Sequence, residues 1–245
     1  MAEDGTRFGD VQREYFDLAD RDRFRFLTSG PGFSATEDAL LAPFVEKIRP
    51  PFLEIGCGEG GNLARLASRG RCVGVDLFFP KVAFARLAVP GPAYASADGV
   101  ALPFRDRCFE SVFIRDVLHH VADPRAVVRE AARVLVPDGQ LLLIEPNGRN
   151  PIVRLQAMLV AAERESRRFH TAFVRDLLEG FEIVDVATAH PLPLRRLLFH
   201  YRWGLPRLAE IGWTRSAITR LELFLSRFVP AAYWEHVVAT AQRPR

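Results

Sequence analysis

Residues 52–67 read FLEIGCGEGGNLARLA, an apolar run followed by a glycine cluster and a helix-like pattern. The glycines fit two fingerprints, because Gly56, Gly58 and Gly60 give G-x-G-x-G while Gly56, Gly58 and Gly61 give G-x-G-x-x-G. Glycines in such a turn let the backbone bend sharply and approach a ligand closely. The second spelling suggests a dinucleotide such as NAD, and the first suggests another adenosine-containing cofactor.

Strand patterns alternate with helix patterns on both sides of this loop as far as residue 146, which predicts a parallel sheet covered on both faces. A capping box at Ser34 and Glu37 favours a helix before the loop, and Pro137 to Gly139 read as a turn. The predicted strands are residues 51–56, RCVGVDL (71–77), AYASAD (93–98), FESVFIRD (109–116) and QLLLIEP (140–146).

The sequence predicts one domain over residues 1–245, with two more strands after residue 148. The expected core is about 35–148 together with strands at about 181–190 and 233–242. The stretches 149–180 and 190–230 are expected to form a helical cap, or lid. The first of these reads as helical in PIVRLQAMLVAAERESRR (151–168) and in HTAFVRDLLEG (170–180).

Composition limits the class of protein. Of 245 residues, 49% are hydrophobic and 26% charged, as in ordinary globular proteins, and a net charge of +3 is too small to indicate nucleic-acid binding. The three cysteines have no C-x-x-C spacing, so neither a disulfide framework nor a zinc site is suggested and no metal is predicted. A reducing, cytoplasmic setting is expected. No uninterrupted apolar stretch approaches the roughly 20 residues of a membrane span.

Acidic residues at the strand ends distinguish between the two glycine fingerprints. Glu54 lies two residues before Gly56, where it would repel a pyrophosphate and attract a cationic ligand. Asp76 ends the second strand, where a carboxylate can accept both ribose hydroxyls of either kind of cofactor. Asp98 follows the third strand and could accept an adenine amino proton. Glu54 therefore disfavours an NAD-dependent dehydrogenase, the competing enzyme hypothesis.

Four ordered stretches carry a family resemblance: FLEIGCGEGGNLARLA, GVDL, ADGVALPFRDRCFESVFIRDVLHHV and EAARVLVPDGQLLLIEPN. Over roughly residues 50–147 the chain resembles class I S-adenosylmethionine-dependent methyltransferases, and it is most similar to the small-molecule type that includes the ubiquinone/menaquinone C-methyltransferases. The resemblance implies an α/β fold with a doubly wound, Rossmann-like, seven-stranded and mostly parallel sheet whose last strand is antiparallel. It implies S-adenosyl-L-methionine as cofactor and S-adenosyl-L-homocysteine as product.

The resemblance also implies which residues hold the cofactor. Glu54 would lie near the methionine amino group, Asp76 would bind the ribose, and Leu77 would lie beside the adenine. Arg115 stands where such enzymes usually have a small or polar residue, so its backbone is the expected contact. The full set is Glu54, Gly56, Cys57, Gly58, Gly60, Asp76, Leu77, Asp98, Gly99 and Arg115.

Two histidines are the candidate catalytic residues. His119 and His120 follow the fourth predicted strand at the ligand edge of the sheet, and an imidazole can accept a hydroxyl proton near neutral pH. The alternative is a structural pair that bonds to the backbone. Glu145 and Asn147, at the end of the fifth strand, could face an acceptor, whereas Asp116 and His236 are expected to be structural. Tyr15 and Phe16 either fold over the cofactor or pack in the core.

The segment 190–230 combines arginines with leucine, phenylalanine and isoleucine at helical spacing. Such helices can lie on a membrane surface or hold an acyl chain, and they can equally pack their apolar face on the domain. We therefore expect methylation of a small molecule, on oxygen of an apolar or lipid-like acceptor, with peripheral membrane contact left open. The alternatives are a C- or N-methyltransferase of a quinone or other metabolite, or a cofactor-binding protein without transferase activity.

Nucleic acid is not an expected partner. A nucleic-acid methyltransferase would be expected to carry an N-P-P-Y-like motif after the fourth strand, and residues 114–120 read IRDVLHH instead. The sequence leaves the acceptor, the methylated atom and the oligomeric state open.

Overall fold

The structure is a computed structural model that describes residues 10–12, 38, 40–191, 194, 198, 205, 208 and 211–245. Its strands are β1 (Phe52–Ile55), β2 (Cys72–Asp76), β3 (Ala93–Ser96), β4 (Phe109–Arg115), β5 (Leu135–Pro146), β6 (Glu182–Ala189) and β7 (His236–Gln242). They form one seven-stranded sheet in the order β3-β2-β1-β4-β5-β7-β6. The pairs among β1 to β5 are parallel, and β7 runs antiparallel to β5 and β6. The predicted fold class is confirmed.

Helices connect the strands and cover the sheet. They are α1 (Leu63–Leu66), α2 (Phe79–Ala88), α3 (Pro124–Val134), α4 (Pro151–Leu159), α5 (Thr171–Leu177) and α6 (Gly212–Ser226). Short 3-10 segments add Ala67–Arg69, Leu118–His120, Ala161–Arg168 and Ala231–Tyr233. Within the described ranges, no helix combines the length and the apolarity needed to cross a membrane.

Each face of the sheet has its own apolar cluster, because successive strand residues point to opposite faces. Leu53 belongs to the cluster that includes Val127 of α3, whereas Phe52 belongs to the cluster that includes Phe44. Residues 52, 53, 113 and 114 are all fully buried, as expected for central parallel strands covered on both sides.

Three boundary predictions were wrong. Residues 137–139 lie inside β5, where the pairing with β4 shifts register and Asp138 takes a φ of 60°, so the predicted turn is a strand irregularity. The helix predicted over residues 151–168 ends at Leu159 and continues as a 3-10 segment. The last strand begins at His236 and not at residue 233. Ser34, Glu37, Tyr15 and Phe16 lie outside the described residues, as does much of 190–210.

The parallel strands bring four loops to one edge of the sheet, since their carboxyl ends point the same way. These loops follow β1, β2, β3 and β4 and contain the glycine cluster, Leu77, Asp98 and the histidine pair. Because β7 is antiparallel, its first residue, His236, also lies at this edge, opposite Pro146 of β5 and Ala189 of β6.

Candidate active site

The loop after β1 has a backbone that favours glycine at three positions. Gly56, Gly58 and Gly60 have φ values of +74°, +51° and +86°, and Gly61 is not among the glycines with positive φ. The G-x-G-x-G spelling is therefore the one that the backbone requires. A Cβ on Gly56 would lie 2.1 Å from Cγ2 of Val117, whereas a Cβ on Gly58 would meet no described atom within 4 Å. The described residues thus leave open space directly over Gly58.

Asp76 connects the glycine loop to the end of β2. Its Oδ2 accepts a hydrogen bond from the backbone N–H of Gly58 at 2.9 Å, and its Oδ1 accepts one from Phe78 at 2.9 Å. A carboxylate has about four lone-pair positions, so two remain for other donors. Leu77 beside it is 51% exposed, which leaves its side chain available to a flat apolar ligand.

The other loop residues predicted for the cofactor lie at the same edge. Asp98 is exposed, and its Oδ1 accepts a hydrogen bond from the N–H of Val100 at 3.1 Å. Gly99 is half-buried against Ile55, where a Cβ would come within 3.1 Å of Cγ2. Cys57 is buried, and burial raises the pKa of its thiol, so the thiol stays protonated at neutral pH.

Glu54 is a fully buried carboxyl group in β1. Its Oε1 accepts a hydrogen bond from Nδ2 of Asn62 at 2.6 Å, and Oδ1 of Asn62 accepts one from Nη1 of Arg115 at 3.0 Å. Burial raises the pKa of Glu54 to about 8, although Asn62 and Arg115 oppose that shift. Its Oε2 is buried and has no hydrogen-bond partner among the described residues.

The side chain of Arg115 makes its contacts with neighbouring protein residues. It is 7% exposed, donates to Asn62, and forms an ion pair with Asp116 at 3.4 Å. Asp116 itself has a φ of +52°. The positive charge of the guanidinium therefore lies close to the carboxyl groups of Glu54 and Asp116. A cofactor contact at Arg115 would involve its backbone.

His119 is enclosed by two carboxylates. Its Nδ1 lies 2.6 Å from Oε2 of Glu145 and its Nε2 lies 3.3 Å from Oε2 of Glu163, with the ring 2% exposed. Burial alone would lower the pKa of His119, but the charge and hydrogen bond of Glu145, together with those of Glu163, raise it to about 10. The ring is therefore an imidazolium at neutral pH, which can donate protons but cannot accept one.

His120 is in the opposite charge state. Its Nδ1 lies 3.1 Å from the carbonyl oxygen of Ala162, which can only accept, so Nδ1 carries the proton and Nε2 keeps a basic lone pair. Burial, followed by the positive charge of His119, holds the pKa of His120 well below 6.5. The amide Nε2 of Gln12 donates to the same carbonyl at 2.8 Å. The two adjacent histidines thus divide into a fixed cation and a neutral imidazole.

Glu145 and Asn147, which the sequence suggested could face an acceptor, are both buried at the end of β5. Glu145 is fully buried, and its Oε1 accepts hydrogen bonds from the N–H groups of Val117 and Leu118. Asn147 is 1% exposed, and its Nδ2 donates to the carbonyl oxygens of Ala232 and Trp234. Both side chains instead fix loops at the edge of the sheet, because buried polar groups require partners.

Comparison with known proteins agrees with this geometry. Residues 53–143 match a methyltransferase-domain family. This stretch of the chain is therefore similar to methyltransferase domains. A crystal structure from Thermotoga maritima, described as a SAM-dependent methyltransferase and possible histamine N-methyltransferase, matches with a TM-score of 0.64. It is 19% identical, and the match covers 95% of this chain and 99% of that one, so the shared property is the fold.

Two relatives are similar in sequence to the methyltransferase domain. An uncharacterised protein of Mycobacterium tuberculosis is 33% identical over 198 residues, which are 78% of this chain and 64% of the relative. The human protein named probable tRNA methyltransferase 9B is 37% identical over 105 residues, 41% of this chain and 22% of the relative. The chain therefore spans under two thirds of the length of these relatives.

Two residues of the site were missed by the sequence analysis. Asn62 directly follows the glycine cluster, so its polar side chain at the start of a helix was a signal that could have been used. Glu163 lies in the cap segment, far from the methyltransferase motifs, and nothing in its sequence neighbourhood indicates that it reaches His119. Among the described residues, two groups have the arrangement that could hold a metal ion. They are His119, His120 and Glu163, and His190, Glu235 and His236.

Proposed function

We propose that the protein transfers a methyl group from S-adenosylmethionine to an oxygen of an apolar, lipid-like small molecule. The observation that carries the proposal is the geometry of His120, whose Nδ1–H donates to the carbonyl oxygen of Ala162 and whose Nε2 lies 4.0 Å from Oε1 of Glu163, together with a pKa held well below 6.5 by burial. It belongs to the loop after β4, whose Val117 side chain packs directly against Gly56 of the glycine loop.

The cofactor would be held by the residues that the sequence analysis predicts. The buried Oε2 of Glu54 suits a cationic amino group, the remaining lone pairs of Asp76 suit ribose hydroxyls, and the space over Gly58 admits a close approach. Leu77 and Asp98 would contact the adenine. When bound, S-adenosylmethionine supplies a methyl group that its sulfonium charge already activates. The protein then mainly aligns the acceptor, which can be worth roughly 7–11 kcal/mol of the barrier.

His120 would remove the acceptor's proton at Nε2, and His119 would act as a positioning residue. The ring of His119 lies beside that of His120, with centroids 3.8 Å apart, and burial followed by the charge of His119 lowers the pKa of His120. A neutral imidazole is the form that can accept a proton from a phenol or hydroxyl. Oxygen is thereby favoured as the methylated atom, since a carbon acceptor or an already neutral amine has less need of a base.

The apolar nature of the acceptor is supported by α6. Trp213, Leu221 and Phe224, together with Phe228 just after the helix, recur at helical spacing on one face, and their exposed fractions are 72%, 47%, 54% and 71%. The opposite face buries Glu222. Exposed apolar faces of this kind usually contact a partner or a membrane.

Arginines border the same face. Arg220 and Arg227 are exposed and lie beside the apolar residues at neighbouring helical positions. An apolar face flanked by arginines is typical of helices that lie on anionic membranes. We propose that α6 contacts a lipid surface from which the acceptor is taken. A cytoplasmic location is also proposed, on the basis of the cysteine pattern alone.

The alternatives are C- or N-methylation of a quinone or other metabolite, and binding without transfer. Among the similar proteins, one is described as a possible histamine N-methyltransferase and another as a probable tRNA methyltransferase. Nucleic acid stays outside the proposal, because residues 114–120 lack the motif expected of such enzymes.

The proposal is tested by incubating the protein with methyl-labelled S-adenosylmethionine and matched sets of apolar phenols, alcohols, amines and quinones, with and without lipid vesicles. We expect labelled product in the hydroxyl set, with an O-methyl signal by NMR. The His120→Ala variant should lose about 10²-fold or more in turnover while keeping its cofactor affinity. In wild type the rate should fall only below about pH 6.5, because the pKa of His120 lies well below that value.

His119→Asn is the matched comparison. Removing this ring leaves Glu145 and Glu163 without their buried cation, so the variant should lose stability together with activity. Exclusive N- or C-methylation, or full activity of His120→Ala on a hydroxyl acceptor, would contradict the assignment of oxygen and of the base.

A further inference from the structure

A second group of two histidines and one carboxylate lies at the same edge of the sheet, at the base of the cap. His190 follows the last residue of β6, Glu235 precedes β7, and His236 is the first residue of β7. A nitrogen of each imidazole and an oxygen of the carboxylate all lie within 4.8 Å of one another. All three side chains are largely buried, at 14%, 10% and 2% exposed.

The spacing within this group differs from that of the group around His119. Oε2 of Glu235 lies 3.9 Å from Nδ1 of His190 and 3.7 Å from Nδ1 of His236. These separations exceed the 2.7–3.2 Å of a nitrogen–oxygen hydrogen bond, whereas His119 and Glu145 are in direct contact at 2.6 Å. Zinc ligands about 2.0–2.1 Å from the ion in a tetrahedron lie about 3.4 Å apart. Both nitrogen–oxygen distances in the group are within about 0.5 Å of that spacing.

The backbone holds the three residues firmly. The N–H of Glu235 donates to the carbonyl oxygen of His190 at 2.7 Å, and the N–H of Asn147 donates to the carbonyl oxygen of Glu235 at 2.7 Å. The side chain of Asn147 also holds Ala232 and Trp234, on the loop that leads to Glu235. His190 has a φ of +61°, a conformation that non-glycine residues adopt rarely and that clusters at functional sites. The ligand positions are therefore preorganised.

We propose that His190, Glu235 and His236 bind one divalent transition metal ion, with zinc the best match to two imidazoles and one carboxylate. Three protein ligands leave at least one coordination position for water or another donor. The ion would join the end of β6 to the start of β7, where the segment 190–230 leaves the sheet. The proposal is independent of methyl transfer, since none of the three residues is assigned to the cofactor or to the base.

The test uses Co²⁺ as a spectroscopic probe on the full-length protein after removal of metal with a chelator. We expect one equivalent of Co²⁺ to give visible ligand-field absorption, Zn²⁺ to displace it, and either ion to raise the melting temperature. Glu235→Gln keeps the shape of the side chain, and His190→Asn keeps a residue that tolerates positive φ. Each should weaken metal binding by at least about 10–100-fold, which is the loss typical of an outer-sphere partner alone.

The His120→Ala variant is the control, because it removes one imidazole from the other metal-capable group. It should bind Co²⁺ with unchanged stoichiometry and spectrum. Absence of Co²⁺ absorption in folded wild type would overturn the proposal. Binding that survives both Glu235→Gln and His190→Asn, or that is lost in His120→Ala, would also overturn it, because the ion would then be held elsewhere.

Discussion

Glu54 is a carboxyl group enclosed in the central strand of the sheet, and its pKa of about 8 leaves it mostly protonated at neutral pH in the free protein. A ligand that places a positive charge beside it favours the ionised form. Cofactor binding should therefore release close to one proton at pH 7, and affinity should rise with pH up to about 8 and then level off. Calorimetric titration in buffers of different ionisation enthalpy measures the released proton directly.

Glu54→Gln is the matched variant, since it keeps the hydrogen bond with Asn62 but cannot ionise. Its binding heat should be independent of the buffer, and its affinity should be weaker and flat with pH. In the free wild type, the raised pKa means that the stability contributed by the protonated group is full below about pH 4.5 and is lost as pH rises through 8. Wild-type binding without proton release would contradict a cationic group at Glu54.

Single residues of the site could be predicted where their chemistry follows from strand position. Glu54 and Asp76 are acids at the carboxyl ends of recognisable strands, and the sequence analysis places both. The charge states of His119 and His120 could not be predicted, because they depend on burial and on contacts with Glu145 and Glu163, and Glu163 comes from the cap some 40 residues later in the chain. Contacts between segments so far apart are set by packing and leave no local pattern.

Among the loops and helices, the glycine loop gives the sharpest prediction. An alanine at Gly56 would have both a positive φ and a collision with Val117, so Gly56→Ala should reduce the free energy of unfolding by about 2–4 kcal/mol. Gly58→Ala has the positive φ alone and should cost about 1–2 kcal/mol. It should nevertheless lose at least about tenfold in affinity for S-adenosylmethionine, because the methyl group enters the space that we assign to the cofactor. Denaturant unfolding and calorimetry measure the two effects separately.

The apolar face of α6 gives a second prediction. The double variant Trp213→Ser, Phe228→Ser should lose at least about tenfold in affinity for vesicles containing anionic lipid, because each buried aromatic side chain is worth about 1.5–3 kcal/mol. Leu87→Ser is the control, since Leu87 is an apolar residue of α2 that is 86% exposed and outside this face. Vesicle sedimentation compares the three proteins. Equal sedimentation of the double variant and wild type would contradict the proposed contact between α6 and a membrane.

Elements with strong periodicity were predictable, and those with special backbone geometry were not. The apolar runs of β1, β2 and β4 and the capped start of α3 are local signals, since Asp123 accepts a hydrogen bond from the N–H of Ala126. The proline, aspartate and glycine at 137–139 are equally typical of a turn. Pairing of β5 with β4 and β7 outweighs that preference, and the strand absorbs these residues as an irregularity.

For the molecule as a whole, the topology explains why the site lies where it does. The order β3-β2-β1-β4-β5-β7-β6 reverses direction at β1 and β4, where open parallel sheets bind their ligands. The glycine loop and the histidine loop follow these two strands, so both loops lie at the same edge of the sheet. The antiparallel β7 brings the proposed metal site to the same edge.

The central claim is that the folded chain binds S-adenosylmethionine in preference to NAD. Calorimetric titration of the full-length protein with S-adenosylmethionine, S-adenosylhomocysteine and NAD, with Asp76→Asn as control, tests this. We predict at least a tenfold preference for both sulfur cofactors over NAD. Asp76→Asn should weaken both by about 10–100-fold, as expected for the loss of about 1.5–3 kcal/mol of charged hydrogen bonds. Affinity for NAD equal to or above that for S-adenosylmethionine, or no binding of either sulfur compound to the folded protein, would contradict the account.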